Sequence, residues 1–313
     1  MDNSVPPPRE DKIFLYSLLP FASVIIAALI LLGIILLDTS LPALKEYGIG
    51  LFMRNVWKPR EDGPGEYGLL APIIGTLETA IIAVIIALPM SLSLLILTEE
   101  MMPNKWRDLV STLIDVMAGL PTILYGLWGI EVLIPFLRDH FMSFLHEKIG
   151  FIPLLSCQPL SGSSILAAGM LLSIMIIPFI YVIIRESYST IPQSLVEAAI
   201  AYSSGWRHYV KFKIGLIKPA LLGGLLLGFG RAAGETVAVA LVIGNSFHLS
   251  SCIFAPGYTI SSLIANQFAN SMYYPLMSSV LFAGGLFLLS TGLALNYAGV
   301  KLIRRSRKLC QAV

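Results

Sequence analysis

An arginine and a glutamate interrupt a glycine-rich apolar stretch of the chain, 219-PALLGGLLLGFGRAAGETVAVALVI-243. They are Arg231 and Glu235, and a charge at bilayer depth costs roughly 3 kcal/mol or more, so such residues mark functional sites by default. The planar guanidinium of arginine donates two parallel hydrogen bonds to a carboxylate or a phosphate group. The chemistry that this pattern indicates is the binding of an anion.

The spacing of the two residues predicts where they lie. On a continuous helix that begins near Pro219, Arg231 lies ~18 Å along the axis and Glu235 ~24 Å, inside a ~30 Å hydrocarbon core. Residues i and i+4 share a face, and arginine before glutamate is the poorer order for a pair within one helix. Partners on other helices, or the anion itself, are therefore favoured over a structural pair. Gly230 and Gly234 permit close helix packing or leave space for a solute.

The composition places the chain in a membrane. It is 56% hydrophobic and 13% charged, with a mean hydropathy of +0.79, whereas soluble domains carry about 25% charged residues. This excludes a soluble enzyme, and a net charge of +2 gives no indication of a nucleic-acid partner. Cys157, Cys252 and Cys310 form no CxxC motif, so neither a metal site nor a cofactor is expected; whether Cys157 and Cys252 pair stays open.

The hydrophobic pattern predicts an all-α polytopic membrane protein. A helix needs about 20 apolar residues to cross a bilayer. Six segments qualify: 13–37, 72–97, 109–137, 165–184, 219–244 and 276–300. Glycine and proline interrupt the third and fifth segments, which is tolerated where neighbouring helices or a cavity satisfy the backbone.

The distribution of Lys and Arg predicts that both termini are cytoplasmic. The connections on one side carry 14 basic residues and those on the other carry 6, and basic residues favour the cytoplasm. The N-terminus 1–12 and the basic tail 304–313 are then cytoplasmic, and the tail is placed to contact anionic lipid. The loops 38–71 and 245–275 face outward. Within the second of these, 259–269 is either a surface helix or a packed re-entrant segment.

The loop 185–218 is expected to form short cytoplasmic helices, because its apolar residues recur at helical spacing. Its sequence 190-TIPQSLVEAAIAYSSGWRHYVKFKIGLIKPA-220 contains Glu197, Ala198 and Ala199, and resembles the EAA loop of ABC-importer permeases. The resemblance implies a coupling helix that docks on an ATPase subunit. Gly205 stands two residues beyond the position of the family's glycine. The chain has no Gly-Lys dipeptide and so no loop of the Walker A type; it is not predicted to be an enzyme.

Three further stretches narrow the resemblance: 117-MAGLPTILYGLWGIEVL-133, 228-GFGRAAGETVAVALVIGN-245 and 259-TISSLIANQF-268. All three are similar to permeases of the phosphate-specific transport (Pst) system, of the PstC type, and the similarity spans about 70–303. It implies a type I ABC-importer permease fold over 72–303 and a pathway for phosphate. It also implies three kinds of partner: a second permease of the PstA type, an ATPase dimer of the PstB type and an extracytoplasmic PstS-type phosphate-binding protein.

Asp115, two turns into the third span, is a weaker candidate for the pathway. It either gates the pathway, or pairs with a base of the second permease, or is a helix-end carboxylate wetted by the cavity. Two other functions stay open. An ion-coupled secondary anion transporter often carries internal repeats, and none is visible here; a membrane sensor would bind the same partners without moving solute. Arg231 alone would also suit sulfate or molybdate.

Overall fold

The computed structural model describes residues 9–311, with side chains described from 16 to 305, and is built almost entirely of helices. The first part of the chain forms α1 (Arg9–Tyr47), α2 (Gly50–Met53), α3 (Leu70–Ile96), α4 (Asn104–Gly119), α5 (Thr122–Trp128), α6 (Ile134–Phe136) and α7 (Ser143–Ile149). The second part forms α8 (Ile165–Ser189), α9 (Gln193–Tyr202), α10 (Trp206–Leu216), α11 (Lys218–Gly234), α12 (Val237–Val242), α13 (Ile260–Gln267) and α14 (Met277–Gln311). Wider π-helical turns cover Leu97–Met101, Gly129–Leu133 and Leu137–Met142, and short 3-10 turns cover Pro153–Leu155 and Asn270–Met272.

A two-stranded hairpin lies between α2 and α3. β1 (Trp57–Lys58) pairs antiparallel with β2 (Glu66–Tyr67), with Trp57 opposite Tyr67. The Trp57 ring stacks on Phe247 with ring centroids 5.1 Å apart. Burial raises the pKa of Tyr67 to about 12, and within the described residues its buried hydroxyl has no hydrogen-bond partner. The hairpin therefore packs on the loop that follows α12.

Four helices of the described chain are long and apolar enough to cross a membrane, and the number reaches six if each of two bent helix pairs forms one span. The first bend, of 93°, falls between α4 and the helical segment that begins at Thr122. It falls at Pro121, where the preceding Leu120 is extended, because proline disfavours the helical conformation of the residue before it. The glycine and proline interruption predicted for the third span is confirmed.

The fifth span is interrupted too, as its glycines predicted, but the break overturns the continuous helix on which the positions of Arg231 and Glu235 were predicted. α11 ends at Gly234, Glu235 is extended with φ −68° and ψ 131°, and α12 begins at Val237. The prediction that Arg231 and Glu235 share a helical face is therefore wrong. Gly234 has low helix propensity, and the Ser261 hydroxyl donates to the Glu235 carbonyl oxygen at 2.6 Å, so this carbonyl is satisfied without a helical partner.

Small residues bring the long helices together. A Cβ on Gly223 of α11 would lie 2.8 Å from the carbonyl oxygen of Gly299 in α14, and one on Gly169 of α8 would lie 2.6 Å from Ile82 of α3. Close backbone approach of this kind matters in lipid, where helices associate by packing rather than by the hydrophobic effect. α3 with α8 and α11 with α14 form the tightly packed pairs that carry the site.

Two loops are joined covalently. Cys157, after the 3-10 turn at Pro153–Leu155, forms a disulfide with Cys252, which lies between α12 and α13. This answers the question that the sequence left open. Ile260 and Leu263 of α13 are fully buried, whereas Phe268 is 45% exposed, so the first half of 259–269 is packed and its second half lies at the surface.

Candidate functional site

Arg231 lies on the last turn of α11 with an exposed side chain. Its guanidinium carbon is 5.2 Å from the centre of the Phe179 ring of α8. None of the ion pairs formed between residues 16 and 305 involves Arg231 or Glu235. The two are therefore not a structural ion pair, and the hydrogen-bonding edge of Arg231 is available to an anion.

One face of α8 connects Arg231 to a polar crevice. The residues of this face recur at helical spacing: Phe179, Val182, Glu186 and Ser189. The crevice has a volume of about 560 Å³ and is lined by Glu99, Arg107, Asp115, Val182, Arg185, Glu186 and Ser189. Phe179 and Glu186 are seven residues apart, which is about 10 Å along a helix. Asp115 and Arg231, which belong to other helices, thus lie near opposite ends of this face of α8.

The bend between α4 and α5 is held by a hydrogen bond. The Tyr125 hydroxyl donates to the Met117 carbonyl oxygen at 2.8 Å, in the last turn of α4, where the same oxygen also accepts the Leu120 N–H at 3.3 Å. This bond fixes α4, the helix that carries Asp115, relative to α5. Asp115 is exposed and forms no ion pair within residues 16–305.

Glu235 occupies the break between α11 and α12. Its side chain is half-buried, and its backbone carbonyl is held by Ser261 of α13. Non-helical backbone at membrane depth is tolerated where it is buried in protein or lines a water-filled cavity. The break therefore places a carboxylate beside irregular backbone, one residue beyond the helix end that carries Arg231.

Gly230 and Gly234 line a different space from the one that Arg231 faces. They bound a mostly apolar cavity of about 360 Å³ between α3, α11 and α14. A Cβ on Gly230 would lie 3.5 Å from the Asn296 side-chain oxygen, whereas one on Gly234 would meet no atom within 4 Å. The two glycines keep this cavity open, and Arg231 faces α8.

The residues of the EAA-like sequence lie on α9, a helix that contacts little of the remaining chain. Glu197 and Ala198 are exposed, Ala199 is the buried residue of the helix, and the side chain of Tyr202 is 93% exposed. Gly205 connects α9 to α10, and nothing lies within 4 Å of the position that its Cβ would occupy. The expected short helices of the loop 185–218 are confirmed, and α9 presents an open face.

Sequence reasoning missed two features. Gly126 and Gly129 let α12 approach, since a Cβ on Gly126 would lie 2.6 Å from Leu241; the repeated glycines of the 117–133 stretch were the available signal. It also missed the charged cluster around Glu99 and Glu100 at the end of α3. Two adjacent carboxylates at the end of an apolar span were the available signal for that cluster.

Comparison with known proteins decides the family. Residues 92–308 match the family model described as "Binding-protein-dependent transport system inner membrane component". The chain belongs to this family. It is a multi-pass membrane protein and a component of a transporter rather than an enzyme.

Several curated relatives align with most of the length of this permease. It is 51% identical over 270 residues to the "Probable phosphate transport system permease protein PstC" of Methanocaldococcus jannaschii, covering 86% of each chain. It is 39% identical over 306 residues to the "Phosphate transport system permease protein PstC" of Xylella fastidiosa, covering 96% of this chain and 93% of the relative. The protein of the same name from Pasteurella multocida is 37% identical over 268 residues, covering 84% and 82%.

Proposed function

We propose that this permease is a membrane subunit of an ATP-driven phosphate importer and forms half of its translocation pathway. The observation that supports phosphate as the substrate is the 51% identity, over 86% of both chains, to a relative named for phosphate transport. Arg231 adds a physical reason, because an exposed guanidinium that forms no ion pair within residues 16–305 suits a tetrahedral oxyanion.

The proposed topology has six spans and both termini in the cytoplasm. The uneven distribution of basic residues, 14 against 6, supports this orientation. The disulfide between Cys157 and Cys252 lies in the two loops that this orientation directs outward. It supports the same orientation, because disulfides form and persist in oxidising compartments outside the cytoplasm.

In the proposed pathway Arg231 contacts the transported anion. Asp115 lies at the crevice end of the same α8 face, where its charge would repel an anion and so restrict passage. Glu235 belongs to a gate at the break in the fifth span and does not bind the anion, because an ionised carboxylate would repel phosphate. Gly230 and Gly234 give α11 the space that a change between inward-open and outward-open states requires.

The proposed partners follow from the open surfaces and from the family. The exposed face of α9, with Glu197, Ala198 and the turn at Gly205, docks on an ATPase dimer. Ala199 packs this helix against its own subunit. A homologous second permease completes the pathway, and an extracytoplasmic phosphate-binding protein delivers the anion to the outer loops. The basic end of α14 contacts anionic lipid.

The test is uptake of radiolabelled phosphate into vesicles that contain the permease, its second permease and the ATPase. Binding protein is added outside and ATP is enclosed, with and without an ionophore. The expected result is phosphate uptake that requires both the binding protein and ATP and is unchanged by the ionophore. Uptake by the permease alone that collapses with the ionophore would overturn the proposal in favour of an ion-coupled transporter. Unlabelled sulfate and molybdate serve as competitors and should leave phosphate uptake unchanged.

A further inference from the structure

Two adjacent carboxylates end the second long helix. Glu99 and Glu100 lie in the π-helical turn Leu97–Met101 that continues α3. A π-helical turn inside an α-helix widens the helix and occurs frequently at functional sites. Here the two side chains reach different partners, so this one turn contacts three other helices.

Glu100 forms a buried ion pair with α10. Its Oε1 is 2.5 Å from the Lys213 Nζ, and the side chains of Glu100 and Lys213 are only 8% and 11% exposed. The Tyr188 hydroxyl of α8 donates to the same oxygen. Lys213 also donates to the Tyr209 hydroxyl at 3.1 Å and lies 4.2 Å from the centre of the Tyr188 ring. The charges are thus paired and hydrogen-bonded, as buried charges must be.

Glu99 connects the same turn to α8 and α4. Its Oε1 accepts a hydrogen bond from the Arg185 Nε at 2.9 Å, and its Oε2 is 3.8 Å from the Arg107 Nη1. The Glu99 side chain is more exposed than that of Glu100, and it borders the polar crevice. Glu100 is therefore the carboxylate that holds α10, and Glu99 holds the surrounding helix ends.

α10 is the second half of a helical hairpin that begins with the coupling helix. We name α9 and α10, residues 193–216, the coupling hairpin. Only Ala199 is buried in α9, and Val210 and Lys213 are the buried residues of α10. Lys213 is therefore the one charged side chain of the hairpin's described residues that is buried in the membrane domain.

We propose that the Glu100–Lys213 pair is the ionic joint through which motion of the coupling hairpin reaches α3 and α8. This rests on the proposed function, in which α9 docks on the ATPase. Because Tyr188 binds the same carboxylate, a displacement of Lys213 acts on α8 as well as on α3. α8 carries the face between Arg231 and the crevice, so the joint links the ATPase-facing surface to the pathway. Paired buried charges fix one specific arrangement of helices, a role attested for some buried ionic groups.

The test uses a charge-free double variant, Glu100→Gln with Lys213→Met. A single substitution leaves a buried charge without a partner and destabilises the fold, whereas replacing both charges by groups of similar volume is often neutral. Lys211→Met is the matched control, because Lys211 lies on the same helix but is exposed. Each variant is purified with its partner subunits and reconstituted in vesicles. Assembly with the ATPase, ATP hydrolysis and phosphate uptake are measured on the same sample.

The double variant is expected to assemble and hydrolyse ATP as the parent does, with uptake per ATP lowered about 5- to 150-fold, the usual range of an allosteric coupling. The Lys211→Met control should keep the parental ratio. If the double variant kept the parental uptake per ATP, the proposed role of the Glu100–Lys213 pair in coupling would be overturned. An equal loss of assembly and uptake would also overturn it, because the pair would then serve the fold alone.

A parent complex without ATP-dependent phosphate uptake would instead refute the proposed function, so the two failures are distinguishable.

A second measurement checks the mechanism directly. Spin labels at Lys211 of α10 and at Met90 of α3, both exposed, report their separation before and after ATP is trapped. The separation should stay constant in the parent and change in the double variant; a constant separation in both would contradict the joint.

Discussion

Replacing Arg231 with lysine tests the proposed anion site most directly. Lysine keeps the positive charge but loses the planar fork, which makes two parallel hydrogen bonds to one oxyanion. The side chain is exposed and lies against the Phe179 ring. A lysine ammonium can also interact with an aromatic ring. The substitution therefore changes the chemistry offered to the anion and leaves the packing of the helix almost unchanged.

The magnitude follows from the loss of one charge-assisted hydrogen bond. Such a bond contributes about 1.5–3 kcal/mol, and each 1.36 kcal/mol corresponds to about a tenfold change in rate. We expect Arg231→Lys to lower phosphate uptake about 10- to 150-fold. The free energy of unfolding should change by about 0.5 kcal/mol or less, as for other exposed positions.

The assay is initial phosphate uptake in reconstituted vesicles with excess binding protein and enclosed ATP. Arg305→Lys is the control, since Arg305 is exposed on α14, outside the described crevice and the coupling hairpin. Arg231→Met, which removes the charge as well, should lower uptake at least as far as Arg231→Lys. Parental uptake by the Arg231→Lys permease would refute the reasoning, and so would a loss explained entirely by failure to assemble with the partner subunits.

Three further predictions concern the packing and topology of the subunit. Tyr67→Phe removes a buried hydroxyl that has no partner among the described residues, which costs about 1–3 kcal/mol to bury; the thermal midpoint of the purified subunit should be unchanged or higher, and a fall would contradict this. Gly75→Ala places a methyl group 2.2 Å from a backbone carbonyl oxygen of the loop before α13 and should destabilise by about 1–3 kcal/mol or more; a parental midpoint would show that the close approach is absent. In a Cys310→Ser background, an impermeant maleimide should label Cys157 and Cys252 in intact cells only after a reductant is added outside; labelling without the reductant would contradict the disulfide or its outward location.

The predicted helices and their interruptions follow from the sequence because their signals are local. Long apolar segments specify the spans, and Leu120-Pro121 specifies the first bend through the steric effect of proline on its neighbour. The interruption of the fifth span was predicted from its glycines, but its position at Glu235 was not, because that position depends on a contact with Ser261, 26 residues away in sequence. A non-local hydrogen bond of this kind leaves no periodic signal.

The candidate site was predictable in part for the same reason. Arg231 was identified from its type and depth alone, and the structure gives it an exposed side chain beside Phe179. Its relation to Asp115 depends on the face of α8, which lies between them in space and not in sequence. Glu100 and Lys213 are 113 residues apart, so only the folded chain brings them together.

The disulfide between Cys157 and Cys252 sets a parity rule for the chain. Two residues that are bonded to each other lie on the same side of the bilayer, so the 95-residue interval between them must cross it an even number of times. In the proposed topology α8 supplies one crossing, and α11 together with α12 supplies the other. The short α12 then completes a crossing that α11, which ends at Gly234, leaves unfinished, and the coupling hairpin lies on the membrane face opposite the bond.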